Sequence, residues 1–317
     1  MTLCLKRVTR QSMYKISIPG FQTLIASDTF VFTCLQEVFC NNCAVKTDRE
    51  LLFTEGPFEI LRCLQCGLIH VSPQPTESDL DLYYKSFFGG VDREDPDQWN
   101  HDEVFCQIEH IIKKYIRDIQ TKNILEIGAG YGFFLVRAKE LGFRQIIGVE
   151  PDCKIASRQI VCEEKITIVN QSFQHVNFKD KLFSVILMSA SLEHFKDPSE
   201  IVDKCYRLLE PGGYLIIRVP FLEGFFSINR LVGKNLFKFG APRHLFDFSP
   251  KTLSYMLDLR NFQMIDIIPG KPEQAKNIFY SMITWCVKTL SILIWKISNR
   301  RYILPFAGSI VAIAIKK

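Results

Sequence analysis

Two carboxylates flank a glycine-rich turn in the sequence. The stretch NILEIGAGYG places Glu126 two residues before the first of three alternating glycines, Gly128, Gly130 and Gly132. Glycine tolerates the backbone of a tight turn and lets a ligand lie against the main chain. Glu150 ends the next apolar run, 22 residues beyond Gly128, so neighbouring parallel strands would bring it beside the turn. A carboxylate there suits ribose hydroxyls and Glu126 suits an ammonium group, so the pattern predicts a nucleoside cofactor.

Four cysteines form a second group whose spacing carries chemistry. Cys40 and Cys43 stand as C-x2-C, and Cys63 with Cys66 repeats the unit after 19 intervening residues. This spacing is typical of structural zinc sites, in which four thiolates surround the metal. A closed site of this kind leaves no open coordination position, so we expect Zn²⁺ to support folding and perform no chemistry. Four unligated core cysteines are the alternative.

The other seven cysteines show no paired spacing. We predict that they are small buried hydrophobic residues. They occupy positions 4, 34, 106, 153, 162, 205 and 286.

Several motifs together resemble one enzyme family. The pattern E-x-G-x-G-x-G, the following strand that ends in Glu-Pro, and the segments LEHFKDP, LEPGG and PRHLFDFSPKTL resemble class I S-adenosylmethionine-dependent methyltransferases. The segment from the second cysteine pair to Tyr83 and Tyr84 also resembles an N-terminal zinc-binding region found in some bacterial small-molecule and saccharide-pathway methyltransferases. The resemblance implies a doubly wound seven-stranded α/β sheet. Ser184 departs from the family, in which many members have aspartate.

The resemblance also implies roles for individual residues. Glu126 and the turn would hold the methionine part of S-adenosylmethionine, and Glu150 the ribose. The segment after the third strand would contact the adenine. The full set of expected cofactor-binding residues is Glu126, Gly128, Ala129, Gly130, Gly132, Glu150, Pro151, Gln171, Ser172, Phe173 and Ser189.

Two histidines are candidates for a catalytic base. His194 follows the fourth strand, at the edge where this family places its transferable methyl group, and a near-neutral imidazole could take a proton from a hydroxyl. A histidine that only fixes its loop by hydrogen bonding is an equal alternative. His244 is the second candidate, and Arg243 beside it could orient an anionic acceptor.

These residues need a particular arrangement of elements. We expect an unassigned segment at 1–35, a zinc ribbon at 36–72, a helical lid region at 73–120 and the methyltransferase domain at 121–317. An apolar helix at about 277–300 would interrupt the domain before an antiparallel last strand. Its polar residues fall on one narrow stripe, so packing on the protein body is favoured over peripheral contact with a membrane through 279–301.

Composition limits the possible partners. The chain has 317 residues, 47% of them hydrophobic, and a formal charge of +5, which is too small to argue for nucleic-acid binding. The first residues lack the pattern of a secretory signal, so we expect a cytoplasmic protein, with attachment to the inner membrane surface left open. The oligomeric state is not predicted.

The leading hypothesis is therefore a methyltransferase for a small-molecule, saccharide or lipid-linked acceptor, by O- or C-methylation. An RNA methyltransferase that grips its substrate with the ribbon is the alternative enzyme. A non-catalytic binding module that keeps the fold is the alternative class, although the intact set of Glu126, the glycines and Glu150 argues against it.

Overall fold

A computed structural model describes residues 32–43, 48–89, 102–152, 166–179, 181–233, 236–271, 278–298, 302–305 and 307–317. Most of the unassigned N-terminal segment and Cys4, Cys153 and Cys162 lie outside these residues. The described residues of the N-terminal third form five strands and two helices. They are β1 (Leu35–Gln36), β2 (Arg49–Glu55), β3 (Phe58–Cys63), β4 (Ile69–Ser72), β5 (Gln74–Pro75), α1 (Glu77–Gly89) and α2 (Asp102–Tyr115).

The rest of the chain alternates strands and helices. In order these are β6 (Asn123–Ile127), α3 (Phe133–Glu140), β7 (Gln145–Val149), β8 (Ile166–Val169), β9 (Phe183–Ser189), α4 (Pro198–Leu208), β10 (Leu209–Phe221), α5 (Glu223–Val232), β11 (Phe246–Asp247), α6 (Pro250–Asp258), β12 (Phe262–Pro269), α7 (Ile278–Ile297) and β13 (Gly308–Lys316). Short 3₁₀ turns cover Ile119–Thr121, Phe173–His175 and Leu192–His194.

Seven strands form the central sheet, in the order β12-β13-β10-β9-β6-β7-β8. The five strands from β10 to β8 are parallel, whereas β13 is antiparallel to both of its neighbours. All five residues of β6 are buried, as expected for a parallel strand covered by helices on both faces. The predicted doubly wound seven-stranded sheet and its antiparallel last strand are confirmed.

The helices that flank the site begin at defined capping residues. The Asp197 carboxylate accepts hydrogen bonds from the backbone of Ser199 and Glu200 at the start of α4. Ser249 and Thr252 form a reciprocal capping box at the start of α6. Such caps satisfy amides that would otherwise lack partners in the first helical turn, and they fix where each loop of the site ends.

A four-stranded sheet, in the order β11-β4-β3-β2, carries the cysteine-rich segment. Its edge strand β11 lies in the methyltransferase region of the sequence. It pairs with β4, with Phe246 opposite His70 and Asp247 opposite Ile69. The sheet that contains the expected zinc ribbon at 36–72 thus also includes a strand almost 180 residues further along the chain.

Helix α7 is the expected apolar insertion between the last two strands of the central sheet. Among the described residues, no helix is long and apolar enough to cross a membrane. The prediction that the unpaired cysteines are buried is correct for Cys205 but wrong for Cys106 and Cys286, which are exposed. These two lie on outward faces of helices, which a spacing argument could not identify.

Candidate functional site

The turn after β6 depends on its glycines. Gly128, Gly130 and Gly132 all have positive φ angles, of 74°, 52° and 78°, a region in which other residues are strained. The amides of Gly128 and Ala129 donate to the carbonyl of Val149, at 2.9 and 3.1 Å, and fasten the turn to the end of β7. A Cβ on Gly128 would come within 2.8 Å of the Cβ of Ser191, so this turn packs directly on the segment after β9.

The Glu150 carboxylate lies against this turn. Its Oε2 accepts a hydrogen bond of 2.9 Å from the Gly130 amide, and its Oε1 accepts one of 3.0 Å from the Asp152 amide. Burial raises the pKa of Glu150, and the two amides oppose the shift. The spacing argument correctly places this acid beside the glycines, with its carboxylate held in one orientation. Pro151 follows it and is exposed.

Glu126 is a buried carboxylate inside β6. Its Oε2 has no hydrogen-bond partner among the described residues. Burial raises the pKa of Glu126 well above its usual range, and the nearby Glu150 adds to the shift. A buried carboxylate oxygen without a partner is costly unless a cation or donor joins it, so this position fits the ammonium group of an amino acid.

The chain turns sharply after β9 and forms the far side of the site. Ser189 ends the strand, and Ala190 has a φ of 54°, which is strained for a residue with a side chain. The Ser191 hydroxyl donates a 2.9 Å hydrogen bond to the Ile127 carbonyl at the end of β6. The short turn Leu192–His194 follows at once. Sequence analysis missed Ser191, although a small residue next to a glycine turn is a detectable signal.

His194 has a defined tautomer. Its Nδ1 lies 2.6 Å from the carbonyl oxygen of Arg243. A carbonyl can only accept, so Nδ1 carries the proton of the neutral ring and Nε2 carries the lone pair. Burial lowers the pKa of His194 to about 4, which the backbone carbonyls of Arg243 and Ala190 offset only in part. The imidazole is therefore neutral at physiological pH and able to accept a proton at Nε2.

His244 and Tyr84 complete the surroundings of His194. The His244 ring lies 5.1 Å from the His194 ring, centre to centre, and its Nδ1 donates to the Phe239 carbonyl at 3.3 Å. Burial lowers the pKa of His244 well below its usual range. The hydroxyl of Tyr84, on α1, donates to the same Arg243 carbonyl at 2.9 Å. The structure thus brings both predicted histidines together and adds a tyrosine from the lid region.

The segment after β8 is divided between surface and core. Gln171 is exposed and Ser172 is half-buried, whereas the Phe173 ring is buried in the core and packs against Phe178. Lys204 binds the carbonyl of Phe173 at 2.7 Å and fixes the loop. Of the three residues expected near the adenine, Phe173 can contribute only its backbone to a ligand surface.

The four predicted metal ligands form one cluster. Each of Cys40, Cys43, Cys63 and Cys66 offers a sulfur, and the four sulfurs lie within 4.8 Å of one another. The Sγ atoms of Cys40 and Cys66 are 3.4 Å apart, and those of Cys43 and Cys63 are 3.8 Å apart. Zn–S bonds of about 2.3 Å in a tetrahedron place sulfurs about 3.8 Å apart. The four thiols are unbridged, so this cluster offers the four ligands that a structural zinc ion needs.

The cysteine cluster is attached to the methyltransferase domain. The Asn42 side chain donates to the Thr252 carbonyl of α6 at 3.0 Å, and Ser199 of α4 donates to the Asn41 carbonyl at 3.0 Å. Cys40, Cys63 and Cys66 pack in the same hydrophobic core as strands of the central sheet. The cluster therefore supports the part of the domain that carries the histidines.

The fold and the site together define a class I methyltransferase. Residues 99–267, more than half of the chain, match a family described as a methyltransferase domain. The chain therefore belongs to this methyltransferase family, although it spans only 39–50% of the length of the first curated relatives that it matches. The resemblance drawn from the motifs in the glycine turn and after β9 is thereby confirmed at the level of the family.

The names of individual relatives describe different activities. The chain is 24% identical over 216 residues to the ubiquinone biosynthesis O-methyltransferase of Rickettsia typhi, covering 63% of this chain and 82% of that relative. It is 26% identical over 121 residues to the tRNA U34 carboxymethyltransferase of Nautilia profundicola, covering 36% of this chain and only 39% of that relative. A solved complex of the Trm112 methyltransferase activator with a methyltransferase from Haloferax volcanii contains a chain with the same fold, at a TM-score of 0.51 and 12% identity, with 74% of this chain and 96% of that chain covered.

Proposed function

We propose that this enzyme methylates a hydroxyl group on a small-molecule, saccharide or lipid-linked acceptor, with His194 as the general base. The observation that carries the proposal is the tautomer of His194, whose proton is held at Nδ1 by the Arg243 carbonyl at 2.6 Å. The lone pair on Nε2 can then accept the hydroxyl proton. C-methylation remains the variant of this chemistry in which the proton comes from carbon.

The chain's own residues have separable tasks. The bound cofactor supplies a methyl group activated by a sulfonium charge. The buried Glu126 carboxylate would hold its ammonium group, and Glu150, fixed by the Gly130 and Asp152 amides, would hold its ribose. His194 would take the acceptor's proton. The Glu193 carboxylate lies 4.0 Å from Nε2 and would stabilise the imidazolium that forms.

Relatives with long matches support a small acceptor. The match to the ubiquinone biosynthesis O-methyltransferase covers 82% of that protein, whereas the matches to three tRNA U34 carboxymethyltransferases cover 39–50% of theirs. The arginines of the ribbon also have carboxylate partners, because Arg49 pairs with Glu37 and Arg62 with Glu223 at 3.1 Å. Paired arginines are poorly placed to neutralise phosphates, so RNA remains the second candidate.

We also propose that the four-cysteine cluster binds one structural Zn²⁺. Its sulfur separations match a tetrahedral thiolate site, and all four positions are filled by protein ligands. The metal would hold the ribbon against α4 and α6.

A methyl-transfer assay with His194→Asn tests the proposed base. Radiolabelled S-adenosylmethionine is offered with three probes: a catechol carrying a short prenyl chain, a nucleotide sugar and an unmodified tRNA transcript. Asparagine can still donate to the Arg243 carbonyl but cannot act as a base. We expect unchanged cofactor affinity by calorimetry and a transfer rate lower by roughly 10²–10⁴-fold.

The control is His110→Asn, since His110 is exposed on α2 and is not among the proposed binding or catalytic residues. The pH profile gives a second readout. With the pKa of His194 at about 4, the base stays unprotonated across the neutral range, and the rate should fall only as the pH drops below about 5. Full activity of His194→Asn would refute the assignment, and transfer to tRNA alone would select the RNA alternative.

A further inference from the structure

Helix α7 presents an apolar stripe away from the protein body. Leu290 and Leu293 are each 51% exposed, Ile297 is 75% exposed, and Cys286 is exposed one turn earlier. The steps between these positions are four, three and four residues, so they follow one side of the helix. The stripe is about 17 Å long at 1.5 Å per residue.

The opposite side of α7 buries a polar residue. Ser291 is fully buried, and its hydroxyl has no hydrogen-bond partner among the described residues. One turn later, the Trp295 indole donates to the Ile267 carbonyl of β12 at 3.0 Å. A helix on a protein body usually turns its leucines inward and its serines outward. At Leu290, Ser291 and Leu293 the orientation of α7 is the reverse, which indicates that its outer side meets another apolar medium.

Charge around α7 indicates which medium that is. From position 274 to position 301 the sequence has no aspartate or glutamate, yet it has five lysines and arginines, at positions 276, 288, 296, 300 and 301. Lys296 is exposed beside the stripe. Anionic lipid headgroups complement such a segment. A second copy of the chain would instead place positive charges against positive charges.

We propose that the outer face of α7 binds the surface of an anionic membrane, with Leu290, Leu293 and Ile297 inserted among the lipids. The helix would lie in the plane of the interface, because the stripe is shorter than the ~30 Å hydrocarbon core. This goes beyond the proposed function, because it concerns where the enzyme acts and not which group it methylates. The evidence for it comes from α7 alone, so it stands or falls independently of methyl transfer.

Vesicle flotation of the full chain tests this proposal without any acceptor. The probes are phosphatidylcholine vesicles with and without phosphatidylglycerol. We expect binding to the anionic vesicles, weaker binding at high salt, and a loss of about tenfold or more in Leu290→Glu/Leu293→Glu. The matched control is Leu51→Glu, because Leu51 is 52% exposed on β2 of the other sheet.

Calorimetric titration with S-adenosylmethionine shows whether each variant is folded. Three outcomes would overturn the proposal. The first is absence of binding to anionic vesicles, and the second is equal binding by the double variant. The third is a dimer in sedimentation that only the double variant abolishes, which would assign the stripe to a second copy. None of these outcomes bears on the transfer assay, so failure here leaves the proposed function intact.

Discussion

Gly128→Ala tests whether the cofactor turn depends on contact with the segment after β9. Gly128 has a φ of 74°, and a Cβ there would lie 2.8 Å from the Cβ of Ser191. Gly130 provides the matched control, because its φ is 52° but a Cβ there would meet no atom of the described residues within 4 Å. Both substitutions place alanine in the left-handed region, and only the first adds a steric clash.

The expected losses of unfolding free energy follow from the backbone strain and the steric clash. A left-handed alanine costs about 1–2 kcal/mol relative to glycine, which is the whole expected loss of unfolding free energy for Gly130→Ala. Overpacking adds about 1–3 kcal/mol, so Gly128→Ala should lose roughly 2–5 kcal/mol. Cofactor affinity should fall more in Gly130→Ala than in Gly128→Ala, because the space beside Gly130 is where a ligand would lie.

Urea unfolding and calorimetric titration with S-adenosylmethionine measure the two quantities. Ser191→Gly removes the clashing Cβ, so the double variant with Gly128→Ala should recover part of the lost stability, and a double-mutant cycle gives the coupling. Equal destabilisation by Gly128→Ala and Gly130→Ala, or a cycle without coupling, would show that the turn does not rest on Ser191.

Three further predictions use buried ionisable groups. Glu126→Gln should weaken S-adenosylmethionine binding roughly tenfold to a hundredfold in calorimetry, since a charge-assisted hydrogen bond contributes about 1.5–3 kcal/mol. The same substitution should raise stability in urea at neutral pH, because burial raises the pKa of Glu126. Cys63→Ser should abolish bound zinc in elemental analysis, whereas the exposed Cys106→Ser should retain one ion per chain; equal zinc contents would reject the ligand set. Burial raises the pKa of Asp247 to about 7, so this residue stabilises the fold below about pH 4 and loses that contribution as the pH rises towards 7. Asp247→Asn should therefore remove a fall in the urea midpoint between pH 4 and 7, and an unchanged slope would contradict the assignment.

Local sequence signals predict much of the fold and part of the site. Three features lie close together in sequence: the strand that carries Glu126, the glycine turn and the strand before Glu150. Their spacing alone predicts that the Glu150 carboxylate lies beside the turn. The capping residues Ser249 and Thr252 likewise mark the start of a helix that the structure contains. In each case the determining contacts lie within about 30 residues, which is the range that periodicity and motif spacing can reach.

Contacts between distant segments are not accessible in this way. Tyr84 reaches the Arg243 carbonyl across 159 positions, and β11 joins the ribbon sheet across a similar separation. Two-residue strands have no periodicity to detect. The orientation of α7 is a further example: its sequence shows one polar stripe, but only the structure shows that Ser291, a member of that stripe, is buried.

Strand β11 limits where this protein can be truncated. The family match begins at residue 99, yet β11 pairs with β4, and Tyr84 holds the carbonyl that orients His194. Both partners precede that boundary. A shortened protein that starts at residue 99 would keep every expected cofactor-binding residue but lose Tyr84 and the ribbon side chains that pack in the core of the central sheet, so it should be less stable than the full chain and lose the alignment of its base.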